Sequence, residues 1–227
     1  MPTTLTWLGH GTWLIATGGH NVLVDPFLDD SPSAPVKSGD VTADFILVSH
    51  GHFDHVADAA KIAQRTGATV VSNFEICEWL AKQGVKKTEP MNLGGAIDLP
   101  FGRVKLTIAH HSSVLPDGAS GGNPSGFLLT LPEGKVYLAC DTGLFYDMKL
   151  IGDEGLALAV LPIGDRFTMG PDDALRAAKL LAANRVVASH YGTWPPIAQD
   201  AAAWAKRVEA ETDSKVVLLE PGGKITL

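Results

Sequence analysis

Val48-Ser49-His50-Gly51-His52-Phe53-Asp54-His55 places four metal-competent side chains in six consecutive residues, directly behind the apolar run Phe45–Val48. Such a run reads as a strand covered on both faces, stopping at Ser49. The chemistry-bearing residues therefore begin at the C-terminal end of a strand, where α/β proteins bind ligands. On an extended segment His50 and His52 project to the same side and can converge on one ion. Asp54 and His55 come after the turn and, as neighbours there, point at a different ion. Imidazole nitrogen suits zinc and carboxylate adds affinity for harder ions such as manganese, so the mixed set is compatible with a transition-metal pair. The alternative is a solvated helix start in which Asp54 caps and the histidines are incidental. Three of the chain's eight histidines within six residues argue against it.

Outward from this motif, the pattern predicts strands at Leu5–Leu8, Trp13–Ala16 and Val22–Val24, a spacing that suits an antiparallel meander. Behind the motif it predicts a helix over Val56–Gln64, a strand at Val70-Val71 and a helix over Ile76–Gln83. A second strand-rich block follows, with Val104–Ala109, Phe127–Leu131, Val136–Ala139 and Leu156–Leu161 as its strands. Helix Asp172–Ala183, opened by Pro171, precedes strand Val186–Ser189, helix Ala198–Glu211 and strands near Val216–Leu219 and Lys224–Leu227. Two strand-rich halves, each carrying helices, predict an α/β fold of four layers, two sheets face to face with helices on both outer faces. Loops Asp29–Asp40, Ser112–Ser125 and Gly164–Pro171 are rich in Gly, Pro and Ser, and the latter two are expected to line a pocket.

The 227 residues contain neither a repeat nor a linker that would divide them, so one domain over residues 1–227 is expected. An apolar fraction of 45% supports a sizeable core. The net charge of −7, with scattered basic residues, disfavours nucleic acid as a partner. No stretch is apolar enough for a membrane span and the N-terminus does not read as a secretory signal, so a cytoplasmic protein is expected. Cys77 and Cys140 lie far apart in no metal-binding spacing, which argues against a disulfide.

The motif His50 to His55 matches without a gap the His-x-His-x-Asp-His signature of the metallo-β-lactamase superfamily, which the chain resembles. Further stretches occur in the family's order: Ala109-His110-His111-Ser112-Ser113, Asn123-Pro124-Ser125-Gly126-Phe127, Asp141-Thr142-Gly143, Leu161-Pro162-Ile163-Gly164-Asp165 with Phe167-Thr168-Met169-Gly170, and His190-Tyr191. Together they look like the metal-dependent hydrolase branch related to L-ascorbate-6-phosphate lactonase. The resemblance implies that His50, His52 and His111 hold one metal, that Asp54, His55 and His190 hold the other, and that Asp141 bridges them. Alternation on a strand lets only one of His110 and His111 face the metals, and the His-Ser-Ser pattern selects His111. His110 is then a packed or supporting histidine. The branch usually carries Gly where this chain has Cys140, whose thiol is expected to pack in the core, the alternative being an added soft ligand. His10 is a candidate for supporting the site or touching substrate, a plain turn histidine being the equal alternative, and Asp25 for orienting a ligand histidine through its other ring nitrogen, the alternative being a turn cap.

Two divalent ions, zinc foremost with manganese or iron as alternatives, lower the pKa of a shared water enough to supply hydroxide near neutral pH. Asp54 and His190 are the expected catalytic residues, Asp54 orienting the hydroxide. Ser112, Asp165, Thr168 and Tyr191 are candidate substrate contacts. The expected reaction is hydrolysis of an ester, lactone or phosphoester bond in a small anionic metabolite. A phosphodiesterase or nuclease of the same fold and a metal-occupied binding module without turnover are the rival readings. Homo-oligomerisation is left open.

Overall fold

The computed structural model describes residues 2–227. Its first sheet takes β1 (Thr4–Trp7), β2 (Trp13–Thr17), β3 (His20–Val24), β4 (Phe45–Leu47), β5 (Thr69–Asn73) and β6 (Thr88–Met91) in chain order, with β14 (Lys224–Thr226) on the far side of β1. The second runs β7 (Ala96–Leu99), β8 (Gly102–Ile108), β9 (Ser125–Leu131), β10 (Gly134–Leu138), β11 (Leu156–Pro162), β12 (Arg185–Ser189) and β13 (Lys215–Val217). In each sheet one half is antiparallel and the other parallel.

Continuous apolar strands follow from burial on both faces. In β4, Leu47 joins the cluster between the sheets, with Trp13, Ile15, Leu106 and Phe127, while Ile46 faces helices α2 (Ala59–Thr66) and α3 (Phe74–Lys82) through Ile62, Ile76 and Leu80. The same division holds in β12, where Val187 points between the sheets and Val186 packs under α5 (Pro171–Leu181) and α6 (Ala201–Glu211) with Leu175, Trp204 and Val208. Three apolar layers between four layers of structure give the αββα sandwich that the sequence predicts.

Several boundaries differ from expectation for physical reasons. The helix predicted over Val56–Gln64 is two helices, α1 (Phe53–Val56) and α2, because Asp58 leaves helical geometry. Its carboxylate instead accepts hydrogen bonds from the backbone N–H groups of Leu28 and Asp29. Helix α6 starts at Ala201 and not Ala198, since Asp200 caps it by accepting from Ala203 N–H, and a 3-10 turn occupies Pro195–Ile197. Strands β6 and β7 and the short helix α4 (Met148–Gly152) were not predicted. Both strands are short sheet edges: β6 is largely polar and carries Pro90, which an edge tolerates, and β7 offers only Ile97 and Leu99 as half-buried apolar residues. The remaining predicted elements lie within about three residues of their observed ends.

Topology alone assembles the site. Strands β1, β3 and β4 run in one direction in the first sheet, and β8, β10 and β12 share a direction in the second. Their C-terminal ends lead into His10, Asp25, His50, His111, Asp141 and His190 respectively. Among the described residues no helix is long and apolar enough to cross a membrane.

Candidate metal centre

The seven residues that the sequence singles out meet at this rim. His50 Nε2 lies 3.0 Å from His52 Nδ1, which lies 3.3 Å from His111 Nε2. Donors around a tetrahedral zinc are spaced at about 3.3 Å, from Zn–N lengths of about 2.0–2.1 Å, so these three nitrogens are set for one ion. Asp54, His55 and His190 form a second convergent group, which also takes in His10. Between the groups stands Asp141, whose Oδ2 is 3.0 Å from His190 Nε2, 3.3 Å from His55 Nε2, 3.6 Å from His111 Nε2 and 4.0 Å from His50 Nε2.

The approaches to Asp141 lack hydrogen-bond alignment. His55 Nε2, both nitrogens of His190 and Asp141 Oδ1 are buried with no hydrogen-bond partner. Leaving so many buried polar atoms unpaired costs about 1–3 kcal/mol each, so the cluster is built for something that ties them together. An all-nitrogen-and-carboxylate donor set fits divalent transition metals.

A surrounding network fixes how the rings present themselves. Asp25, fully buried, accepts from Ser49 N–H (2.7 Å) through Oδ1, and from Ser49 Oγ–H (2.6 Å) and His55 Nδ1–H (2.9 Å) through Oδ2. Ser49 Oγ in turn accepts from His50 Nδ1–H at 2.9 Å. Both rings are thereby held with Nε2 free and facing the site. Ser112 Oγ sits 3.3 Å from His52 Nε2, which leaves His52 Nδ1 inward. His10 donates from Nε2 to Asp54 Oδ2 (3.0 Å) and accepts from Thr193 Oγ at Nδ1 (2.8 Å). Its carbonyl collects Trp7 Nε1–H, Ser189 Oγ–H and His190 N–H, tying the β1–β2 turn to the end of β12.

Burial, reinforced by the neighbouring His190, lowers the His10 pKa to about 4, so its ring is neutral near pH 7. Burial also disfavours charge on Asp54, but the hydrogen bond from His10 and the nearby His55 outweigh it and keep the carboxyl ionised. For Asp141 burial is likewise overcome, by His190 and His55. His50 is held well below its ordinary value by burial and by His55. His10, Asp25, Cys140 and His190 all take left-handed backbone conformations, with φ between 44° and 52°. Non-glycine residues adopt that region at a cost, and here it swings the chain off a strand end into the site.

A beta-lactamase superfamily domain matches residues 20–191. The chain belongs to the metallo-β-lactamase superfamily. Within it the chain is 47% identical to a UPF0173 metal-dependent hydrolase of Heliobacterium modesticaldum, over 98% of this chain and 97% of the relative. It is 46% identical to a UPF0173 metal-dependent hydrolase of Thermus thermophilus, over 97% of each. Among solved structures, the metallo hydrolase Igni18 of Ignicoccus hospitalis superimposes with a TM-score of 0.91 at 34% identity, covering 100% of this chain and 99% of that one. The protein is thus a metal-dependent hydrolase of the metallo-β-lactamase superfamily.

The residues expected to support this hydrolase's site divide into two sets. His10, Asp25 and Ser112 touch the histidine and aspartate cluster directly. Asp165, Thr168 and Tyr191, expected to contact substrate, do not line the cleft over it. Asp165 shapes its own loop, accepting from Arg166 N–H and Thr168 N–H, Thr168 bonds to Met169 O, and the Tyr191 ring stacks on Trp7 at 5.4 Å. His110 points away and stacks on Phe145 at 5.1 Å. Cys140 is packed against the inter-sheet core beside a cavity of only about 10 Å³, and burial, then Asp25 and Asp141, push its thiol well up, away from the thiolate a soft ligand requires. Sequence reasoning did not single out Phe53, Phe167 and Trp194, which wall the cleft, although the loops expected to line a pocket do contribute Ser112 and Phe167. Phe53 stood inside the motif as a spacer, and the other two lie in loops where an aromatic carries no periodic signal.

Proposed function

We propose that this superfamily member is a dinuclear hydrolase acting on an ester, lactone or phosphoester bond of a small molecule. His50, His52 and His111 hold one ion in this reading, Asp54, His55 and His190 the second, and Asp141 both. The single observation that carries the reading is the position of Asp141 Oδ2 within 4.0 Å of four imidazole nitrogens drawn from both groups. Zinc suits the histidine-rich set, with manganese or iron as alternatives. Divalent ions bound here supply hydroxide at neutral pH and a Lewis acid for the oxygen of the scissile bond.

The chain's own groups do the rest. Asp54 is anchored through Oδ2 by His10 and lines the cleft, so Oδ1 is the oxygen available to accept a proton from the attacking water and return it to the leaving group. Because His10 is neutral near pH 7, it steadies Asp54 without taking that proton. His190, through its backbone N–H, holds the turn that carries His10. The free thiols Cys77 and Cys140 support a cytoplasmic setting. Cleavage of long nucleic acid finds no support, since no described residue lining the cleft is Lys or Arg.

Zinc- or manganese-loaded protein should hydrolyse members of a panel of carboxyl esters, thioesters, lactones and phosphodiesters, and Asp54→Ala should lower kcat by roughly 100-fold or more. Absence of turnover across the panel, or an unchanged rate in Asp54→Ala, sinks the reading.

A further inference from the structure

The cleft above the metal centre has a volume of about 470 Å³ and two kinds of surface. Asp54, Asp141 and His190 form a polar floor, and Phe53, Phe167 and Trp194 form apolar walls. Phe53 and Phe167 leave 58% and 56% of their surface open, and with Trp194 they gather on one cleft instead of lying scattered, the arrangement that marks a binding surface. The walls are constructed features. Trp194 stands on the buried His10 at 4.9 Å and on Phe27 at 6.0 Å, and Phe53 meets Phe27 edge-on at 5.8 Å. Phe167 is carried by a loop whose two preceding residues, Asp165 and Arg166, both adopt positive φ. No described lining residue is Lys or Arg. Arg166 stacks on the Phe167 ring at 5.5 Å without itself lining the cleft. An anionic group lying away from the metal floor, between these walls, would therefore find no cationic side chain to pair with.

We infer that the substrate carries, beside its scissile bond, an uncharged aromatic or bulky apolar group that packs between Phe53, Phe167 and Trp194. This rests on the hydrolase reading for the bond cleaved, and on the walls for the group recognised. A ring inserted between these side chains removes apolar surface of both partners from water, whereas a carboxylate in the same place loses hydration and gains no partner.

Matched triplets with one reactive bond test it, the metal-loaded protein being assayed by pH-stat. Ethyl acetate, ethyl phenylacetate and monoethyl succinate form one set; γ-butyrolactone with its γ-phenyl and carboxylate derivatives forms another. A parallel arm uses saturation-transfer NMR on metal-loaded and metal-free protein with phenylacetamide, acetamide and succinamate, which reports binding independently of turnover. The phenyl member should exceed the small neutral one by about tenfold in kcat/KM, and the carboxylate member should be the poorest. The phenyl-to-acetyl ratio should fall towards one in Trp194→Ala and in Phe167→Ala, the latter on an exposed loop that tolerates truncation. It should return in Trp194→Phe and stay unchanged in Tyr146→Ala, an exposed aromatic outside the lining. Equal rates, or preference for the carboxylate, overturn the substrate class and leave the hydrolase reading standing. Saturation transfer to phenylacetamide that is lost in Trp194→Ala, with no hydrolysis of any compound, overturns the hydrolase reading and keeps the ligand class. Neither binding nor hydrolysis overturns both.

Discussion

Replacing Asp25 by Asn changes no heavy-atom count and removes one charge, yet it should weaken both metals. Asp25 Oδ1 receives a backbone N–H, that of Ser49 at 2.7 Å, which cannot reverse its polarity. The NH₂ of the introduced amide is therefore driven to the other side, where Oδ2 accepted from Ser49 Oγ and His55 Nδ1. His55 must then expose a bare Nδ1 to accept, which moves its proton to Nε2, the atom aimed at the site. Ser49 Oγ, released from the carboxylate, turns its hydrogen towards His50 Nδ1 at 2.9 Å and forces the same tautomer change there. His50 and His55 belong to different groups, so one buried carboxylate sets the ligand nitrogen of both. Losing such an outer partner costs roughly 10- to 100-fold in metal affinity per ion. At 1.36 kcal/mol per decade that is about 1.4–2.7 kcal/mol each. Competition against a chelator of known affinity, read by elemental analysis, measures both stoichiometry and affinity. Ser49→Ala is the internal control, since it keeps the Asp25–His55 contact and should weaken the His50 group alone. Wild-type affinity for both ions in Asp25→Asn refutes the argument, and so does a loss confined to one ion.

Two further outcomes follow from packing. A Cβ on Gly11 would lie 2.8 Å from His55 Cε1, a ring that is buried and pinned by Asp25, so Gly11→Ala should destabilise the metal-free protein by about 1–3 kcal/mol and lower affinity for the His55-bound ion. Unchanged denaturant midpoints would show that the ring can move aside. Burial raises the Cys77 thiol to about 12, so at pH 8 a disulfide reagent should leave Cys77 untouched in the native protein and label it after denaturation, as mapped by mass spectrometry. Because the folded-state pKa is the higher one, Cys77's contribution to stability is fully present below pH 9 and is lost as pH rises through about 12. Rapid native labelling at pH 8 would contradict the burial.

How much of this was legible in the sequence depends on how local the cause is. His50, His52, Asp54 and His55 could be read directly because a strand end and one helical turn bring them together within six residues. His111, Asp141 and His190 carry no such signal. They converge because β8, β10 and β12 share a direction across a sheet whose order the chain does not state locally, and only resemblance to the superfamily reached them. The aromatic walls were illegible for a different reason. Periodicity marks residues that face a core, and Phe53, Phe167 and Trp194 face a cleft whose occupant is not part of the chain. Left-handed backbone at His10, Asp25, Cys140 and His190 is illegible too, because isolated residues of these types rarely adopt it. Two of them are held by groups distant in sequence: His10 by Ser189 and Thr193, and Asp25 by Ser49 and His55. The three apolar layers supply the stability that this strain draws on, so the sandwich fixes where chemistry can occur while the loops between its strand ends decide on what.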